Sequence, residues 1–425
     1  MNKKVSLVFM LLTFLSGASI ATFVPVMSLF LTDVVKANAV QVGAYFTISA
    51  VAGIIISQDL AKFSDGCLSR NNLILFSGIS GCLAALIFIF IPYYYVNVTL
   101  VVIFFSISSC GSPQVFAAGR EFAITKYGNS VMFTTYMRVF FALAWVITPP
   151  IGYMIAIDCG FNSLFCLTCI VFLLIAILGK FAMPDTKNVG ANSAENNEGT
   201  IDNSSLKELD NNEDKKAKEV DKVNDNVKVT QVNKQENSQK VSIIKNKDVI
   251  ILFIAFTLLW TCNSLYLISM PIYITKELSL EPRLPGFMMA TAACLEIPVM
   301  LSGGLISKKF GIKPLVVLSG LSGVIFYTAI LFAPHSIASF ILVQIFNALF
   351  IGLLAGLGMI YFQELLPSIP GQATTLFINA TNTGAFVSGA LVAVVAQLGS
   401  YSHAFMVAII LTFIAFILLF FVRKV

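Results

Sequence analysis

Residues 137–153 read Met137-Arg138-Val139-Phe140-Phe141-Ala142-Leu143-Ala144-Trp145-Val146-Ile147-Thr148-Pro149-Pro150-Ile151-Gly152-Tyr153. The run is apolar enough to sit in a lipid bilayer. It nevertheless carries a permanent charge at Arg138, one of the chain's two Trp residues, and a helix-breaking Pro149-Pro150 pair followed by Gly152. A charge inside a spanning helix costs about 2.5 kcal/mol or more. A helix that bears this cost is expected to line a pathway, or an interface between moving parts, rather than face lipid.

The rest of the chain has the same character. Of its 425 residues 57% are hydrophobic and only 12% charged, which excludes an ordinary water-soluble domain. Apolar runs long enough to cross about 30 Å of hydrocarbon predict twelve spans. The first six lie near 5–31, 39–61, 72–92, 97–121, 131–157 and 161–183. The last six lie near 248–275, 285–307, 314–333, 337–365, 371–398 and 402–422. The apolar run after Asn2-Lys3-Lys4 continues to Leu31, beyond a signal-peptide core of about 7–15 residues, so it reads as a retained first span.

Charge orients the spans. Outside 185–247 there are sixteen Lys and Arg. With both termini cytoplasmic, twelve fall on the inner side: Lys3, Lys4, Lys62, Arg70, Arg120, Lys126, Lys180, Lys308, Lys309, Lys313, Arg423 and Lys424. Lys36, Lys276 and Arg283 fall outside, and Arg138 within a span. This asymmetry predicts both ends inside. It also accounts for the net charge of +5 without nucleic acid, since no basic patch is interleaved with aromatics.

Residues 185–247 are a different material, with eleven Lys, twelve Asp or Glu and no aromatic residue. Dense mixed charge with little hydrophobicity predicts a disordered cytoplasmic linker. It divides the chain into an N-terminal bundle (1–184) and a C-terminal bundle (248–425), each of six helices. The turns Ala61-Lys62-Phe63-Ser64-Asp65-Gly66-Cys67-Leu68-Ser69-Arg70 and Gly304-Leu305-Ile306-Ser307-Lys308-Lys309-Phe310-Gly311-Ile312-Lys313 echo one another after the second and eighth spans. Such repetition is common in secondary transporters, whose substrate site lies between the repeats near the midplane.

Polar residues inside the spans nominate the site. Arg138 and Glu296 are the deep charges. Asn263 with Tyr266, Gln344 with Asn347, and Asn379 with Asn382 are pairs three residues apart, each on one helical face. Amides and a guanidinium suit the hydroxyls of a polar, uncharged solute, and Trp145 offers a ring on which an apolar face can stack. Glu296 is the candidate proton carrier, because a carboxyl exposed alternately to the two sides can load and release a proton. The ordinary alternative for each amide is hydrogen bonding between helices, worth about 0.6 kcal/mol on average. Nearer the helix ends, Arg120-Glu121 is a candidate gate or ion pair. Most of the eight Cys lie in apolar runs without zinc or disulfide spacing, Cys166 and Cys169 form a CxxC within a span with no partner His, and the two His, His335 and His403, fall in predicted short loops, so neither a metal nor a cofactor is expected. No phosphate-cradling Gly-rich loop and no assembled nucleophile set is present, which argues against an enzyme or an ATP-driven pump.

These features together resemble the major facilitator superfamily over the whole chain except 185–247. Its motif after the second span, Gly-x-x-x-Asp-Arg-x-Gly-Arg-Arg, is matched by Asp65 and Arg70. Gly304, Lys309, Gly311 and Lys313 fit a loosened copy in the second half. The resemblance implies a charged conformational latch at these positions. Thr148-Pro149-Pro150-Ile151-Gly152 resembles the Gly-Pro-x-x-Gly core of the superfamily's antiporter signature, which implies tight helix packing between the halves.

Within the superfamily the chain is similar to bacterial sugar efflux transporters. The similarity rests on Arg138 with Leu143-Ala144-Trp145 and Pro149-Pro150, Leu265 to Pro271, Met288 to Pro298, Asn347 to Gly352, Gly358 to Pro367, and Ala373 to Leu376. It implies export of sugars or sugar analogues by proton antiport from a functional monomer in the bacterial cytoplasmic membrane. A multidrug or metabolite antiporter is the alternative within the class. A transporter-like receptor signalling through 185–247 is the alternative outside it, separable by deleting that arm, which a transporter would tolerate.

Overall fold

The computed structural model describes residues 2–66, 69–127, 131–183, 246–332, 334–367, 369–395, 397 and 399–423. Apart from Asn246 and Lys247, the predicted linker 185–247 lies outside the described residues. So does the side chain of Asp65. The described chain is all helical, with twelve helices long and apolar enough to span a membrane. They are α1 (Asn2–Asp33), α2 (Ala39–Gly66), α3 (Arg70–Phe90), α4 (Tyr94–Tyr127), α5 (Val131–Asp158), α6 (Phe161–Ala182), α7 (Lys247–Glu277), α8 (Leu284–Phe310), α9 (Ile312–Phe332), α10 (Ile337–Leu365), α11 (Pro370–Val395) and α12 (Ser402–Phe421). Helices dominate because hydrocarbon offers no partner for a backbone amide, so each span must pair its own.

Local chemistry marks several starts. The Ser69 hydroxyl accepts from the Asn72 amide before α3, and the Ser336 hydroxyl from the Ser339 amide before α10. The Asn246 side chain does the same for Asp248 before α7. The fourth span is assembled in pieces, with a π-turn at Asn97–Val101 and a break at Cys110. The Pro149-Pro150 pair, read as helix-breaking, does not break α5, which continues through both to Asp158. Proline costs its own amide donor, so the Trp145 and Val146 carbonyls lose their helical partners, while flanking turns and neighbouring helices hold the helix together.

Packing repeats with the two halves exchanged. In the first half α1 lies on α5, α3 on α6, and α4 against both α2 and α3. In the second, α7 lies on α11, α9 on α12, and α10 against both α8 and α9. The repeat reaches single bonds. Ser77 on α3 donates to the Ser108 carbonyl of α4 at 2.6 Å, and Ser319 on α9 donates to the Phe350 carbonyl of α10 at 3.0 Å. Each serine is thus 242 positions from its counterpart, and so is each acceptor. The donors Asn71 and Lys313 are also 242 positions apart, and each bonds a carbonyl near the end of its half's last helix, Met183 just past α6 and Phe420 in α12. Both serines begin a Ser-Gly-x-Ser-Gly run, 77–81 and 319–323.

The halves meet through two symmetry-related contacts, α2 with α11 and α5 with α8, and through α1 with α7. Missing side chains make the first two tight. A Cβ on Gly43 of α2 would collide with the backbone of Gly389 and Ala393 of α11, and one on Gly286 of α8 would lie 3.0 Å from the Pro149 carbonyl of α5. Both contacts sit at the end of the bundle opposite the chain termini. Two ion pairs join the halves at that same end: Lys276 with Asp33 at 2.7 Å, and Arg283 with Asp158. The Asp158 carboxylate holds the Arg283 guanidinium above its already high ordinary pKa.

Candidate functional site

Below this seal lies a cavity of about 500 Å³ between the halves. Helical spacing selects its walls. On α5, Arg138, Phe141, Ala142 and Trp145 recur every three or four residues and so share one face. Trp260, Asn263 and Leu267 do the same on α7, Met289, Ala293, Glu296 and Met300 on α8, and Asn347, Ile351, Ala355 and Met359 on α10. Phe116 of α4 and Phe377 of α11 complete the wall. Most of the surface is apolar, with polar groups confined to a few points, as in small-molecule sites generally.

Arg138 and Glu296, the two intramembrane charges, both line this cavity. Arg138 is eleven residues along α5 from Pro149, and Glu296 is ten along α8 from Gly286. Pro149 and Gly286 touch, so the two charges lie at similar depth, roughly 15–17 Å of helix rise from the seal. No ion pair joins them. One charge therefore comes from each half, facing the same space without neutralising the other by direct contact.

The amides divide into three groups. Asn263, Tyr266 and Asn347 line the cavity with Trp145. Gln344 is completely buried behind that wall, where its side-chain oxygen accepts from Asn347 at 3.0 Å and from the Tyr266 hydroxyl at 3.4 Å. Asn379 and Asn382 are not among the lining residues, and Asn379 is exposed. A three-residue spacing shows that two side chains share a face, but not which way that face turns.

Trp260 is a wall residue that the sequence reading did not single out. It stands edge-on to Phe377, with ring centroids 6.3 Å apart, and its indole nitrogen is buried without a partner. A signal was available: it is the other of the two Trp and lies one turn before Asn263 on the same face.

The candidate latch residues are near the termini end. Arg70 is paired with Glu121, its Nε donating at 3.1 Å, while its Nη1 donates to the Gln114 side-chain oxygen Oε1 at 2.9 Å. Glu121 is thus engaged from α3, not by Arg120, which is exposed. Neighbours one position apart on a helix do not face each other. Lys313 is spent on the carbonyls of Phe420, in α12, and Val422, just past it. Lys309 is exposed and lies 5.4 Å from the ring centroid of adjacent Phe310. In the antiporter-like segment, Pro149 and Pro150 abut Gly286 across the halves, whereas Gly152 faces Thr22 and Leu164 within its own half. Tyr153, fully buried, ties α5 to α1 by donating to the Pro25 carbonyl at 2.8 Å.

Comparison with known proteins agrees with this architecture. The sequence profile of the Major Facilitator Superfamily matches residues 9–336 and 252–425. Sugar efflux transporter A of Dickeya chrysanthemi is 37% identical over 401 residues, covering 94% of this chain and 91% of that protein. Sugar efflux transporter A of Escherichia coli (strain K12) is 36% identical over 417 residues, covering 98% and 95%. Among solved structures, a variant of the nucleoside transporter NupG superimposes with a TM-score of 0.77 over 98% of each chain. At 12% identity this likeness concerns the fold alone. A twelve-helix membrane chain with an exchanged two-half packing and near-full-length kinship at this level is a transporter, not an enzyme: it belongs to the major facilitator superfamily, in its sugar efflux transporter family.

Proposed function

We propose that the protein exports sugars or sugar-like solutes across the bacterial cytoplasmic membrane, with both termini cytoplasmic, by proton antiport and alternating access. The carrying observation is the cavity between the halves, with Arg138 and Glu296 at one depth and Trp145, Trp260, Asn263 and Asn347 around them. Rings pack the carbon faces of a pyranose, amides meet its hydroxyls, and an uncharged solute leaves the Glu296 carboxyl free to carry a proton. The names of the relatives support the sugar class. The close glycine contacts and two ion pairs beyond the cavity support alternating access, since among the described residues the ion pairs between the halves lie at that end and are contacts that can separate. In this reading the cavity faces the cytoplasm, and Asp65, Arg70, Glu121, Lys309 and Lys313 belong to the end that must close for release.

Counterflow of labelled lactose and glucosides in proteoliposomes, with and without an imposed pH gradient, tests the proposal. Sugar counterflow that the gradient accelerates is expected. The apolar wall favours a second reading, a multidrug antiporter. Absence of sugar counterflow beside robust export of lipophilic cations would replace the first with the second.

A further inference from the structure

The polar groups behind the cavity wall have a fixed direction. Gln344 donates its side-chain NH2 to the Phe340 carbonyl at 3.0 Å. A backbone carbonyl can only accept, so the Gln344 oxygen must be the atom that faces Asn347 and Tyr266. It accepts from both. Asn347 must therefore turn its own NH2 back toward Gln344, and its oxygen is left buried with no partner, in a residue of the cavity wall. A solitary Asn offers donor or acceptor by rotating its amide; this one is held as an acceptor.

We propose that Gln344 is a positioning residue that sets substrate specificity. By locking the Asn347 amide, it makes this point of the site accept a substrate hydroxyl that donates and refuse an ether oxygen at the same place. The inference rests on the sugar reading and assigns Gln344 a role through Asn347 rather than in contact with substrate. Trp260, whose indole N–H is, among the described residues, the other buried polar atom of the wall without a partner, supplies the complementary donor. A polar pocket built to pair a hydroxyl discriminates strongly because a wrong ligand leaves its groups unpaired.

The test is competition against labelled methyl glucoside counterflow by the mono-O-methyl glucosides, using the full-length transporter in proteoliposomes. In the unmodified protein one ring position is expected to lose about tenfold or more in apparent affinity on O-methylation. Gln344→Met, similar in shape but without the lock, is expected to reduce that ratio to about threefold or less while leaving the other positions' ratios unchanged. Gln344→Glu is expected to rescue the discrimination, since one carboxyl oxygen still accepts from Asn347 and the acid form can donate to Phe340. Asn347→Asp, whose acid form donates to the Gln344 oxygen as the amide does and leaves its other oxygen as the acceptor, is expected to keep refusing the ether even if Gln344→Met fails to fold. An unchanged ratio in Gln344→Met, an equal loss at every ring position, or acceptance of the ether by Asn347→Asp would each overturn the assignment. Failure of the unmodified protein to bind any glucoside would instead overturn the sugar reading, and this inference with it.

Discussion

The two halves share one scaffold and divide the chemistry. Ser77 and Ser319 make the same interhelical bond at the same offset, and each half packs its helices in the same order. Across the cavity they differ. The N-terminal half contributes Arg138 and Trp145 on α5, with Phe116 and Phe141 around them. The C-terminal half contributes Glu296 and all the amides, backed by the Gln344 network. Symmetry is kept where helices must pack and lost where a substrate must be told from its analogues. Repeated contacts make two bundles of like packing, and unrepeated side chains make an asymmetric site between them.

The comparison breaks most sharply at its two charges. With Glu296→Gln, transport driven by a pH gradient is expected to fall by about tenfold or more, whereas counterflow without a gradient persists. Arg138→Gln is expected to do the reverse, weakening the solute while the gradient response survives. Identical behaviour in flux assays run with and without the gradient would mean that the two halves do not divide the work. A smaller effect is expected where the halves touch. Gly286→Leu would force α8 away from Pro149 and Tyr153, since even a Cβ would come within 3.0 Å of α5. A cysteine placed at Ala142 should then be labelled about fivefold faster by a membrane-impermeant thiol reagent added from the side of the seal, the Cβ clash being too severe for packed helices to absorb. The smallest effect belongs to Asp158→Asn. Its pair with Arg283 is about 40% exposed on each side. Exposed pairs contribute about 0.5 kcal/mol, the middle of their usual range, so the same labelling rate should change by about twofold, and less in high salt.

Much of this molecule was legible as a string. Apolar runs and turn clusters marked twelve spans because hydrocarbon tolerates nothing but self-paired backbone, and the density of charge in 185–247 set six spans apart from six. Arg138 and Glu296 stood out because each is costly in lipid, and both line the cavity. Trp260 was overlooked although its one-turn spacing from Asn263 was visible. The adjacency of Arg120 and Glu121 suggested a partnership that helical geometry forbids, and the true partner, Arg70, lies 51 residues away.

The sequence by itself determined the all-helical bilayer fold, its two-part plan and which side chains are too polar to face lipid, because these follow from local composition against the solvent. Only the tertiary structure decided which polar faces converge. Asn263 and Asn347 line the cavity while Asn379 and Asn382 do not, Gln344 lies behind the wall, and the Pro149-Pro150 segment closes on Gly286. Helical period fixes which residues share a face; the rotation of each helix about its axis is set by packing against its neighbours, and that depends on the whole bundle at once.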